Sequence, residues 1–166
     1  MCHLCPRRIL DTFSLMVDYG GGPPGRGRLV SAQENKAVVR RYIEEVWNRH
    51  NIDATDELVS PDYLNHAASA EYQRAGVKYS LNWLFSVFPD RRFDIEDAVA
   101  DGDKVAVRGT CSATHEGELW GILPTGERFA VEQVHWFRVA DGKVAEHWAV
   151  RDDLGLMRQI GAIPAK

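Results

Sequence analysis

After residue 30, the chain falls into two segments that differ in hydrophobic periodicity. In the first segment apolar residues recur every three or four positions, as one buried helix face requires. The first such stripe is Val39, Tyr42, Ile43, Val46 and Trp47. Ser31 and Glu34 form a capping box, which marks a helix start. We predict helices from Ser31 to about His50, from Asp53 to Val59, where Ser60-Pro61 disfavours helical geometry, and from about Glu71 to Phe88.

From Phe93 onwards the period changes to two, which is typical of half-buried strands. Asp101-Gly102-Asp103 and Asp141-Gly142 are turn sequences, so we predict two antiparallel hairpins. The inner face of the first hairpin carries Val105, Val107, Gly109, Cys111, Ala113 and His115, and that of the second carries Phe129, Val131, Gln133, His135 and Phe137. A return strand to Arg151 and a final helix ending at Gly161 follow. Helices followed by an antiparallel meander predict an α+β domain.

A run rich in glycine and proline separates the N-terminal residues from this pattern. The run from Gly20 to Arg28 favours neither helix nor central strand. We predict a flexible or non-native tail over residues 1–30 and one domain over residues 31–166, a length sufficient for a hydrophobic core. Cys2 and Cys5 form a C-x-x-C pair, but a tetrahedral zinc site needs four ligands and no second pair follows. We therefore expect no metal site.

Composition and charge exclude several classes of partner. The 166 residues are 45% hydrophobic and 27% charged, with a formal net charge of −4 and a pI of about 5.9. No basic surface for nucleic acid or for an anionic membrane is expected. No run of about 18 apolar residues is available to span a bilayer, and no secretion signal is recognisable. The three cysteines fit a reducing cytoplasm.

Several motifs, in this order along the chain, resemble those of one known family. They are Glu34-Asn-Lys-Ala-Val-Val-Arg-Arg-Tyr42, Glu45-Val-Trp-Asn48, Pro61-Asp-Tyr63, Thr114-His-Glu-Gly-Glu-Leu-Trp-Gly-Ile-Leu-Pro-Thr-Gly126 and Asp141-Gly-Lys-Val-Ala-Glu-His-Trp148. Together they are similar to the SnoaL-like polyketide and ester cyclases. The resemblance implies the nuclear-transport-factor-2-like cone, in which a curved antiparallel sheet wraps around N-terminal helices and encloses a pocket. It also implies ring closure by aldol condensation, with no metal or organic cofactor.

The second hairpin places candidate catalytic side chains on one face. If its turn is centred on the Asp-Gly pair, His135 lies opposite His147 and Gln133 lies opposite Ala149. An imidazole has a pKa near neutrality and so suits a general base. Two imidazoles in one cavity also lower each other's pKa, which keeps one of them neutral. We predict His135 and His147 as catalytic residues, although a register shift of one residue would exchange the faces.

The resemblance also implies roles for particular positions. In the resembling cyclases a carboxylate directly after the Glu-His-Trp motif is the general acid/base, aided by a histidine and a glutamine on the neighbouring strand. His135 and Gln133 match that pair, but the carboxylate position is Ala149, so the family mechanism does not transfer whole. Asp152, just past the strand, is a third catalytic candidate, with a helix N-cap as its alternative role. His135 has the alternative role of a structural histidine.

Further residues are candidates for contact with a ligand. His115 ends an inward face of the first hairpin, and Trp120 in the loop that follows is a candidate lid. Asn65 and His66 follow the second helix and are placed to line the entrance, while Phe137 and Ala149 share the predicted face of His135. The simpler alternative for most of the histidines and tryptophans is a place in the core or at an interface. We expect a homodimer that uses exposed tryptophans.

Two classes of function are consistent with these residues. The first is a cofactor-independent enzyme that performs cyclase-type or isomerase-type proton transfer on a small hydrophobic or polyketide-like molecule. The second is a binding protein of the same fold without turnover, which the alanine at position 149 favours. A SnoaL-like hydroxylase is a further alternative.

Overall fold

The structure is a computed structural model that describes residues 31–69, 73 and 76–164. The predicted tail, with its Cys2 and Cys5 pair, lies outside the described residues. The start of the third predicted helix, at Glu71, lies outside them as well. Among the described residues, no helix has the length and apolar character needed to cross a bilayer.

The first helix begins where the capping box predicts. Helix α1 spans Ala32–Tyr42, and the Ser31 hydroxyl accepts a hydrogen bond from the Glu34 amide while the Glu34 carboxylate accepts one from the Ser31 amide. The helix continues as a π-helical segment, Ile43–Asn48. Its apolar stripe is buried, as predicted, and α1 contacts strands β2 to β5 of the sheet described below.

The second predicted helix is shorter than expected, and a strand replaces its end. A 3₁₀ turn, Ile52–Ala54, leads into helix α2, Thr55–Leu58, and Asp53 lies inside the 3₁₀ turn without acting as a cap. Strand β1, Val59–Asn65, follows directly. It contains Pro61 because it lies at the edge of the sheet, where a missing backbone donor is tolerated.

The other predicted elements are present. Helix α3 spans Val77–Val87 and buries Leu81. Strands β2, Arg92–Asp101, and β3, Lys104–Thr114, form the first hairpin, and strands β4, Arg128–Ala140, and β5, Lys143–Arg151, form the second. Helix α4, Asp153–Gln159, closes the described chain.

The described residues form one curved five-stranded sheet in the order β1-β5-β4-β3-β2. Neighbouring strands are antiparallel, except that the unpredicted β1 runs parallel to β5. Alternate residues of β3 and β4 are buried against α1 and α3, including Val107, Cys111, Phe129 and Phe137. The predicted α+β architecture, with a sheet around N-terminal helices, is confirmed.

The register of the second hairpin differs from the predicted one by two residues. His135 pairs with Ala149, and His147 pairs with Phe137, so the predicted pairing of His135 with His147 is wrong. One residue of this difference lies at the turn, where Ala140 pairs with Lys143, and the other comes from a β-bulge at Ala145, which has no partner on β4. Without the bulge, His147 would lie opposite Trp136 on the other face. With it, the two histidines share the inner face.

Candidate active site

A cavity of about 320 Å³ opens between the concave face of the sheet and helix α3. Its walls are mostly apolar and aromatic, formed among others by Tyr42, Trp47, Leu81, Leu84, Phe88 and Phe129. This volume is at the lower end of the range for small-molecule sites in proteins. One wall, made by the end of β1 and the middle of β4 and β5, carries a row of polar side chains.

These polar side chains form a continuous hydrogen-bonded chain. Nε2 of His135 lies 2.9 Å from Oε1 of Gln133, and Nδ1 of His135 lies 2.9 Å from Nε2 of His147. Nδ1 of His147 in turn lies 3.2 Å from Oδ1 of Asn65. Both imidazoles and Gln133 are buried. We call these four residues, Gln133, His135, His147 and Asn65, the polar chain.

The Asn65 end of the polar chain fixes where the protons lie. Oδ1 of Asn65 also accepts a hydrogen bond from the backbone amide of Ala67, at 3.1 Å, so this oxygen can only accept from His147. His147 therefore donates through Nδ1 and accepts through Nε2. His135 donates its Nδ1 proton to that nitrogen, which leaves the lone pair of a neutral His135 on Nε2.

Gln133 responds to the charge of His135. A neutral His135 presents a lone pair at Nε2, so the Gln133 amide must turn its NH₂ group toward the ring. A protonated His135 donates from Nε2 to Oε1, which is the arrangement at 2.9 Å. The polar chain thus has two fully hydrogen-bonded states that differ by one proton and one amide rotation. A single proton can be taken up or released at Nε2 without leaving a buried polar atom unpaired.

The surroundings favour the neutral state of both histidines. Burial lowers the pKa of His147 to about 3, and the nearby charges of Arg151 and Arg91 act in the same direction. Burial also holds the pKa of His135 well below its usual range, together with the charges of His147, Arg91 and Arg151. At neutral pH both imidazoles are therefore uncharged, and the lone pair at Nε2 of His135 accepts a hydrogen bond from the Gln133 amide.

Charged residues that the sequence analysis did not assign to the site also line the cavity. These are Arg91, Arg151 and Asp153, and Asp153 carries the one carboxylate among the described lining residues. Nε of Arg151 lies 3.3 Å from Oδ1 of Asp153. The sequence did contain a signal for Arg91. Arg91 and Phe93 are two residues apart and both point inward, so Arg91 continues the alternation of buried and exposed residues in β2 by one step.

The predicted site residues divide into two groups in the structure. Gln133, His135, His147, Asn65 and Trp120 line the cavity. Trp120, 59% exposed, lies at the tip of a tight turn whose Leu119 and Ile122 pair as a β-bridge. Asn65 reaches the wall because it ends β1 and pairs with His147 on β5, so the unpredicted strand positions it.

The other predicted residues lie outside the cavity lining. Asp152 caps α4, accepting a hydrogen bond from the Gly155 amide at 2.7 Å. His66 stacks on Trp148 and contacts Glu146, with 2.8 Å between its Nε2 and a carboxylate oxygen. The three remaining positions are also absent from the lining: His115 is fully buried and contacts Thr125, Phe137 stacks on His147, and Ala149 is half-buried opposite His135.

Fold and site together define a class of protein. An α+β domain whose curved sheet encloses an apolar cavity, with a buried polar chain on one wall, is a small-molecule domain of the nuclear-transport-factor-2-like type. Residues 37–160 match the family described as SnoaL-like polyketide cyclase. The chain belongs to this family, which confirms the resemblance seen in the sequence.

Individual relatives cover most of the domain. The chain is 33% identical over 119 residues to the nogalonic acid methyl ester cyclase of Streptomyces nogalater, a match that covers 69% of this chain and 89% of the relative. It is 30% identical over 132 residues to the aklanonic acid methyl ester cyclase AcmA of Streptomyces galilaeus, covering 77% and 91%. Among solved structures, AclR from Streptomyces galilaeus, described as a candidate hydroxylase, superimposes with a TM-score of 0.71 at 31% identity, covering 82% of this chain and 86% of AclR.

Proposed function

We propose that this protein is a cofactor-independent enzyme of cyclase or isomerase type, acting on a small polyketide-like molecule, with Nε2 of His135 as the base. The observation that carries the proposal is the polar chain, which leaves the lone pair of His135 on Nε2 at the wall of an apolar cavity. The cyclase activity named for the relatives supports the reaction class.

The proposed reaction begins with proton transfer from carbon. The substrate displaces the Gln133 amide from Nε2 of His135, which then takes a proton from a carbon next to a carbonyl group, and the electron pair of that C–H bond moves to give an enolate. Because the pKa of His135 lies well below its usual range, the carbon must be an acidic one, for example between two carbonyl groups. The enolate then stabilises the imidazolium as an ion pair in the apolar cavity.

One histidine is sufficient for the remaining steps. In a ring closure, the enolate carbon attacks a second carbonyl group of the same molecule, and the resulting alkoxide takes the proton back from Nε2 of His135. The proton balance is closed, so the reaction is an isomerisation overall. This route needs no carboxylate at Ala149. Gln133 follows the proton by rotating its amide, and His147 and Asn65 hold the tautomer.

Replacing the base tests this proposal. The substrates to offer are nogalonic and aklanonic acid methyl esters, which the names of the relatives indicate. We expect His135→Gln to lower kcat by about 10²- to 10⁴-fold, the usual contribution of a general base, while the Kd for product changes little. His66→Gln is the matched control, because His66 lies outside the cavity. Equal turnover by the His135→Gln variant and the wild type would refute the assignment of the base.

A binding protein without turnover is the second candidate, and Ala149 is the residue that favours it. In this case ligands raise the melting temperature of the protein but are recovered unchanged. Ala149→Asp then gives a useful comparison, because it places a carboxylate opposite His135. Turnover that appears only in Ala149→Asp would support the binding function for the natural chain.

A hydroxylase is the third candidate, and it rests on the similarity to AclR. Mass spectrometry of the product separates it from the cyclase, because ring closure leaves the substrate mass unchanged and hydroxylation adds one oxygen atom.

We also propose that the protein forms a homodimer through the outer face of β4 and β5. Val134, Trp136 and Val150 lie on this face and are 40%, 47% and 75% exposed. Trp136 and Trp148 are cross-strand neighbours, so the exposed apolar surface is continuous.

A further inference from the structure

Arg91 is held on the inner side of the fold by its backbone. It lies between α3 and β2, its amide donates to the Phe88 carbonyl oxygen at 3.2 Å, and its own carbonyl oxygen lies 3.1 Å from Nε2 of His50. The residue is 6% exposed. Its side chain lines the cavity instead of turning out to solvent as its neighbour Arg92 does.

The guanidinium of Arg91 has no anionic partner in the described part of the chain. Its Cζ atom lies 4.9 Å from the centroid of the Trp47 ring, which is a cation–π contact. Nη1 is buried and makes no hydrogen bond, and no described carboxylate lies within ion-pair distance. The cavity's one described carboxylate, Asp153, is paired with Arg151. A buried charge of this kind is costly unless something neutralises it.

The position of Arg91 relative to the base indicates what could neutralise it. The Trp47 ring is the common neighbour, since its centroid lies 4.8 Å from that of His135 and 4.9 Å from Cζ of Arg91. One small molecule in the cavity can therefore contact both groups. An oxygen atom with a negative charge is the group that a guanidinium binds most strongly.

We propose that Arg91 binds an anionic oxygen of the ligand, so that the ligand is a small apolar molecule with one acidic oxygen. This inference rests on the proposed function, because it takes the cavity to be the substrate site. The anionic oxygen has two sources. It belongs either to a carboxylate or acidic enol of the free substrate, or to the enolate that forms when Nε2 of His135 removes the proton from carbon.

Binding of a matched pair of probes tests the proposal without turnover. The probes are 2-naphthoate and methyl 2-naphthoate, which differ in one negative charge, and binding is measured by calorimetry at pH 7.5. We expect the wild type to bind the carboxylate at least about tenfold more tightly than the ester. Arg91→Met should remove this preference. Arg92→Met is the matched control, since Arg92 is exposed and pairs with Asp94, and it should retain the preference.

A second probe detects an enolate-like oxygen. The phenolate form of 4-nitrophenol absorbs visible light, so its apparent pKa can be measured when it is bound. We expect the wild type to lower this pKa by about one unit and Arg91→Met to leave it unshifted, a tenfold change in preference. If Arg91 is needed for tighter binding of 2-naphthoate, a carboxylate is a suitable source of the anionic oxygen. If Arg91 affects only the pKa of bound 4-nitrophenol, the source is an enolate. Either response supports the proposal.

Two results would overturn the inference. One is a wild type that prefers neither 2-naphthoate over its ester nor phenolate over phenol. The other is an Arg91→Met variant that is folded and keeps the preference. Removal of a buried unpaired charge should raise the melting temperature, so a folded variant is expected. The His135→Gln variant should keep the preference for the anion, so a failure of this inference and a failure of the proposed base give different results.

Discussion

The buried histidines His135 and His147 make the stability of the fold depend on pH. In the unfolded chain both have a pKa of about 6.5, whereas in the folded protein the pKa of His147 falls to about 3 and that of His135 is also well below its usual range. Below pH 6.5 the unfolded chain therefore binds protons that the folded protein does not. Stability is greatest above pH 6.5 and is lost as the pH falls toward 3.

We expect the free energy of unfolding to fall between pH 6.5 and pH 5, at a rate that approaches about 1.4 kcal/mol per pH unit for each of the two histidines. Urea unfolding at several pH values in this window measures it. The double variant His135→Gln, His147→Gln should show a flatter dependence. Carboxylates with a lowered pKa, such as Glu146, act mainly below pH 5 and do not obscure the comparison. If the free energy of unfolding of the double variant depended on pH as steeply as that of the wild type, the two histidines would not be neutral in the folded protein.

Single residues of the site were predictable to different degrees. The alternation of β4 was sufficient to place Gln133 and His135 on the inner face, because a period of two assigns faces without knowledge of the rest of the fold. The role of Asn65 was not predictable, because it depends on a parallel contact between β1 and β5. Arg91 was missed for another reason: it continues the inward alternation of β2, but a charged residue is normally assigned to solvent.

At the scale of elements, the start of α1 is a local feature that can be tested by itself. The Ser31 hydroxyl and the Glu34 carboxylate each accept a backbone hydrogen bond. Ser31→Ala removes the cap and should reduce the free energy of unfolding by about 1 kcal/mol. Ser31→Asp keeps a side-chain acceptor and should lose little. Thermal unfolding of the two variants measures the difference, and equal loss in both would show that the cap does not stabilise the helix.

Local signals predicted helices and antiparallel hairpins better than they predicted β1. Capping boxes, Asp-Gly turns and alternation are encoded within a few residues. In contrast, Val59–Asn65 contains a proline and lacks a clear alternation, and it becomes a strand because β5 offers a free edge beside it. The bulge in β5 was not predictable either, because nothing in the local sequence marks which residue of the hairpin stays unpaired.

At the scale of the whole molecule, the outer face of the sheet predicts the oligomeric state. Trp136→Lys places a charge at the centre of the apolar surface that Val134 and Val150 share. If two copies pair there, this variant should be monomeric by size-exclusion chromatography with light scattering, while the wild type is dimeric. Val99→Lys is the control, because Val99 is also exposed, at 60%, but lies on β2, at the far edge of the sheet. A monomeric wild type at micromolar concentration would refute the dimer.

The bulge at Ala145 has a consequence for how chains of this kind can change in length. Deletion of the Ala145 codon would leave a regular ladder in which His147 still faces Phe137, so the wall of the cavity would keep its side chains. Deletion of the Trp148 codon, in the regular part of the ladder, would turn Arg151 to the outside. At the unpaired residue, a relative could therefore lose one amino acid and still keep the catalytic side chains on the wall of the cavity.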